Sequence, residues 1–123
     1  MAEYCRYIQE KGQKMNQALY DRLLQIARSG DVKNYGDIAP LVGLDMSLDS
    51  DRARIGDLLD EISTFEFQNG RPFLSSVVIR GDSNIPGRGY FELATRLGLY
   101  NGDDRVVFWA HELTRVHNYW KGR

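Results

Sequence analysis

The sequence predicts an α+β fold, and three observations predict it. Apolar residues recur at helical spacing through most of the 123-residue chain. One compact β-branched stretch, FLSSVVIR at 73–80, breaks that period. Directly after it comes GDSNIPGRG, a run dense in turn-forming residues. Strands favour β-branched side chains, and Gly, Asn, Asp and Pro punctuate turns, so the middle of the chain reads as a strand and a turn set among helices.

The elements follow in order. Residues 13–28 form a first helix, with Met15, Leu19, Leu23 and Ile26 along one stripe and Gly30 just past its end. The stretch NYGDIAPLVG at 34–43 predicts a short second helix, opened at Asn34 or Tyr35, shortened by Pro40 and closed by Gly43. A third helix, capped by Ser50 or Asp51, carries Ile55, Leu58, Leu59, Ile62 and Phe65 until Asn69-Gly70 stops it. Beyond the strand and turn, residues 90–97 return to helix and end at Gly98. Residues 104–120 hold the strongest helical signal, with Val106, Trp109, Leu113, Val116 and Trp120 in one stripe and Asp103 as N-cap.

Length and composition point to one domain over 1–123 with a single real core. Mean hydropathy is −0.46. No apolar run reaches the length of a membrane span, and the opening residues lack the apolar stretch of a secretory signal. The single cysteine, Cys5, has no internal disulfide partner, so a reduced, cytoplasmic setting and a small hydrophobic role for Cys5 are the expectations.

The net charge of −1 is a weak footprint for binding nucleic acid through bulk electrostatics. The charge is also uneven. Seven acids crowd residues 45–66 against Arg52 and Arg54, whereas Arg71, Arg80, Arg88 and Arg96 stand against Asp82 and Glu92 further on.

Three helices followed by a strand and a glycine-rich turn describe a winged-helix (helix-turn-helix) core over about 13–98. Its short β-hairpin wing lies near 80–88, and an additional C-terminal helix follows at about 104–120. Within it, Tyr35-Gly36-Asp37-Ile38-Ala39, then Arg52-Ala53-Arg54-Ile55-Gly56, then Leu74-Ser75-Ser76-Val77-Val78-Ile79, then a glycine-bearing turn and helix at 81–97 occur in that order. This order resembles the DNA-binding domain of the alkylguanine-DNA alkyltransferases and of the alkyltransferase-like proteins, across about half the chain. The resemblance implies a DNA-binding protein. In it Tyr35 presses on the backbone, Arg52 and Arg54 of the third helix make the contacts, and Arg80 and Arg88 clamp the flank. Ser75 stands where the alkyltransferases carry their alkyl-accepting cysteine.

The departures remove the alkyl-transfer chemistry. Ser75 and Ser76 occupy the positions of the reactive cysteine and its histidine, and a serine beside no histidine has no thiolate-like reactivity. Ala53 stands where the family places its intercalating arginine, and the loop between Tyr35 and Gly56 is longer by a few residues. The expectation is therefore no enzyme, no cofactor and no metal. His111 and His117 lie six apart on one helix and match no zinc spacing.

Bland readings stand beside these. Tyr35 is equally an aromatic staple for its turn. Arg52 and Arg54 can pair with Asp51 or Asp57, and the turn at 80–88 can be a solvated tip. Asp57, Asp60 and Glu61 oppose a phosphate backbone unless they face away from it. The acidic third helix and the Trp-bearing last helix support a second class of partner, a protein. An immunity, antitoxin or adaptor type, or a homodimer through the C-terminal helix, fits that reading.

Overall fold

The structure is a computed structural model and describes residues 15–123. Cys5 and the start of the first helical segment lie outside the described residues. The described part is mostly helical with one small two-stranded sheet, consistent with α+β. Its elements are α1 (Gln17–Arg28), β1 (Lys33–Asn34), α2 (Tyr35–Ile38), a 3-10 turn (Ala39–Val42), α3 (Asp49–Gln68), a second 3-10 turn (Leu74–Val77), β2 (Val78–Ile79), α4 (Arg88–Arg96) and α5 (Arg105–Trp120).

Local chemistry explains most boundaries. Asn16 accepts the Leu19 N–H at 2.9 Å and caps α1. Asn34 accepts the Asp37 N–H at 3.1 Å and caps α2. Pro40 lies in the first turn of the 3-10 segment, so the α-helix tightens there, and Gly43 ends it at φ 73°.

Two expected caps are displaced. Leu48 precedes α3, and among the described residues no side chain caps it; the nearby acids tie the loop instead. Asp51 accepts the Asp45 N–H at 2.9 Å, and Asp45 accepts the Ser47 N–H at 2.9 Å. Asp104, rather than Asp103, caps α5, accepting from Val106 N–H at 2.9 Å and Val107 N–H at 3.2 Å.

The predicted strand and wing are corrected. Only Val78–Ile79 is strand, and it pairs in parallel with Lys33–Asn34 in the register Lys33↔Val78, Asn34↔Ile79. Residues 74–77 coil into a 3-10 turn because their backbone is bonded elsewhere: Ser63 Oγ accepts the Ser75 N–H at 3.1 Å and Phe73 O accepts the Ser76 N–H at 3.1 Å. In place of a β-hairpin, residues 80–85 close as a tight turn. Arg80 N–H donates to Ile85 O and Asn84 N–H to Arg80 O, each at 2.8 Å, with Asn84 at φ 61°.

The core has two parts. The larger gathers Leu19, Leu23 and Ile26 of α1, Ile55, Leu59, Ile62 and Phe65 of α3, Leu74, Val77 and Val78, and Val116 and Trp120 of α5. The smaller is aromatic. Phe73, Tyr90 and Phe91 meet edge to face, at 5.8 Å between Phe73 and Tyr90 and 4.9 Å between Tyr90 and Phe91, with Phe108 and Trp109 packed against them.

The last helix therefore belongs to both parts. Glu112, buried, accepts the Phe73 N–H at 2.9 Å, and Trp109 Nε1 donates to Ser76 O at 2.8 Å. Its predicted stripe is largely spent inside the fold, with Val116 and Trp120 buried and Trp109 and Leu113 half-buried.

Candidate functional site

A cavity of about 620 Å³ opens between α3, the turn at 80–87 and the start of α4. Helical geometry places one face of α3 on it: Arg52, Ile55, Gly56, Leu59 and Asp60 recur three or four residues apart. Tyr35, at the start of α2, supplies a second wall, and Gly87–Tyr90 supply a third. The volume lies within the range of small-molecule and cofactor sites, about 300–1,000 Å³.

Five of the six sequence-predicted residues meet here: Tyr35, Arg52, Ser75, Arg80 and Arg88. Arg54 does not. It sits on the other flank of α3, two turns before Glu61, whose carboxyl is pushed up by burial and drawn back down by Arg54.

Tyr35 fills the packing role considered for it. Its ring packs half-buried against the larger core, and its hydroxyl accepts the Gly87 N–H at 2.9 Å. Burial pushes its phenol above the ordinary range, against the opposing pull of the Gly87 N–H and Arg80. Gly87 is small for a reason of space, since a Cβ there would lie 3.2 Å from the Tyr35 hydroxyl.

The arginines are exposed and engaged. Arg80 grips Asp82 with two bonds, Nε at 3.1 Å and a terminal nitrogen at 2.7 Å. Arg52 donates to Met46 O at 2.6 Å and pairs with Asp49, rather than with Asp51 or Asp57. Arg88 pairs with Glu92 at 3.4 Å. Exposed pairs of this kind are worth about 0–1 kcal/mol, so an incoming anion can displace them.

The two serines are bound into the fold. Ser75 Oγ lies 2.6 Å from Ser63 Oγ, and Ser76 Oγ lies 2.6 Å from the Tyr90 hydroxyl, whose ionisation burial opposes strongly. Among the described residues neither serine hydroxyl is bonded to a histidine or carboxylate that could act as a base. Among the described residues no group of three His, Cys, Asp or Glu side chains is placed to hold a metal ion. His111 is exposed, and His117 meets Asp31 O at 2.9 Å.

Asp60 is the functional candidate that sequence reasoning treated only as an obstacle. It is half-buried on the cavity wall, and desolvation pushes its carboxyl up to about 6, against the pull of Arg96 and with support from Asp57 and Glu92. The helical spacing 52, 56, 60 was a usable signal for its position. Tyr90 and Gly87 carried no such signal, because turn 80–87 sets their place. Asp57 is exposed, away from the cavity lining.

Compared with known protein families, with curated proteins and with solved structures, the chain matches none.

Proposed function

We propose that the chain is a non-enzymatic DNA-binding protein with a helix-turn-helix-type core that lacks the β-hairpin wing, similar to the alkyltransferase-like proteins, and that it receives an unpaired or extruded nucleotide in the cavity beside α3. One observation carries this reading: three arginines, Arg52, Arg80 and Arg88, converge on a single cavity of about 620 Å³ walled by Tyr35 and Tyr90. Phosphate-neutralising cations around a concave site with aromatic walls suit a backbone held outside and a base held inside. The start of α4 supports it further. Among the described residues no side chain caps that helix, so its N-terminal partial charge adds to the arginines. The serine pairs support binding without catalysis, since both hydroxyls are committed within the fold.

The test is a salt titration of DNA binding. Affinity is expected to fall linearly on a log–log plot, and replacing Arg52, Arg80 and Arg88 together by alanine is expected to reduce that slope by about 2–3. A slope unchanged by the triple replacement removes the assignment.

A second reading, a protein-interaction module, is favoured by Val106 and Val107 on the first turn of α5, which stay 53% and 52% exposed. Sedimentation of Val106→Ser/Val107→Ser against the parent chain tests it. A self-association lost in the variant supports this reading, and a parent that is monomeric throughout counts against a homodimer.

A further inference from the structure

We propose that Asp60 sets which group the cavity accepts, its carboxylate receiving hydrogen bonds from a ligand edge that presents two adjacent N–H donors. The inference rests on the DNA-binding reading above and names the chemistry of the same site.

Arg80 is held by Asp82, Arg88 by Glu92, and Arg52 by Met46 O and Asp49. The hydroxyls of Tyr35, Ser75 and Tyr90 each have a partner within the fold. Asp60 lines the same cavity with no hydrogen bond and no ion pair among the described residues. A half-buried carboxylate left unpaired is unfavourable, and a ligand that supplies donors relieves it.

A carboxylate accepts through two oxygens and offers no donor, so it selects by pattern. Among nucleobases, the guanine edge with N1–H beside the N2 amino group supplies two donors side by side. Adenine and cytosine offer one amino group next to an acceptor nitrogen. Thymine offers one N–H between two carbonyls, which repel the carboxylate. An O6-alkylguanine has no hydrogen on N1 and loses one of the two bonds. Asp60 thus directs this cavity away from the alkylated base and toward an unmodified donor edge.

Protonation changes the pattern to one donor and one acceptor. The charged and titratable groups around Asp60 are Asp57 on its own helix, Glu92 and Arg96 on α4 and Tyr35 on α2, and Arg52, Arg80, Asp82 and Arg88 line the same cavity. With the carboxyl held up to about 6, the donor-edge preference is present near neutrality and fades in mild acid.

The experiment is fluorescence anisotropy with short duplexes that carry one central mismatched guanine, O6-methylguanine or thymine. Near pH 7.5 guanine is expected to bind about tenfold tighter than either alternative, and the ratio is expected to shrink near pH 5. Asp60→Asn, close to isosteric, is expected to abolish the ratio. A ratio unaltered in Asp60→Asn and by pH, or tighter binding of O6-methylguanine, overturns this inference and leaves the DNA-binding reading standing. No binding to any duplex overturns both.

Discussion

The hydroxyl of Tyr35 accepts the backbone N–H of Gly87 at 2.9 Å, joining positions 52 residues apart in sequence. This bond fixes the distance between the start of α2 and the start of α4, and so the width of the cavity that both line. The expected result of Tyr35→Phe is a loss of about 1 kcal/mol in urea unfolding, since the Gly87 donor loses its acceptor. DNA affinity is expected to fall with it. Gly87→Ala strains the same link from the other side, because its Cβ meets the hydroxyl at 3.2 Å.

Arg71, itself half-buried, pairs with the buried Glu66 and braces the end of α3. The Glu66 side chain is fully buried, accepting from Arg71 Nε at 3.0 Å, from a terminal Arg71 nitrogen at 2.7 Å and from the Tyr20 hydroxyl at 3.1 Å. Replacing Arg71 by methionine strands a buried carboxylate. The expected cost is about 3 kcal/mol, read as a shift of the denaturation midpoint without a change of slope.

Asp60 makes stability depend on pH in a defined direction. Its folded pKa, about 6, lies above the ordinary value of 3.8, so between those limits the folded protein keeps a proton that the unfolded chain has released. Stability contributed by this group is therefore full below about pH 4, declines as pH rises to about 6 and stays low above. Asp60→Asn is expected to stabilise the fold near pH 7.5 by on the order of 1 kcal/mol, a figure reduced for its partial exposure. Near pH 3.5 the same replacement is expected to change little. Thermal melts at the two pH values measure the difference.

Asp82 restrains Arg80 with two bonds. Asp82→Asn removes the competing charge, and DNA affinity is expected to rise about threefold at low salt. Arg54 lies off the cavity, so Arg54→Ala is expected to weaken binding less than Arg52→Ala in the same shift assay.

The helices were readable because their determinants are local. The apolar stripe of residues 15–27, the Asn34 cap, Pro40, and the glycines at 43 and 70 act within a turn or two of themselves. The stretch NYGDIAPLVG behaved as read, opening a short helix and closing it at Gly43. The segment 73–80 was misread as one long strand. It is almost wholly buried, and a compact apolar run has no outward face to reveal its period. What shapes it comes from Ser63, Trp109 and Glu112, at separations of 12, 33 and 39 residues.

By itself the amino-acid sequence determined where the chain turns helical and where most of its helices stop. Only the tertiary structure decided that β1 pairs in parallel with β2, that α5 is bonded into the core, and that Asp60 shares a cavity with three arginines. Periodicity and capping act between near neighbours and leave a trace in the order of residues. Parallel pairing and cavity walls depend on which distant surfaces bury each other, and that is settled only when the whole chain packs.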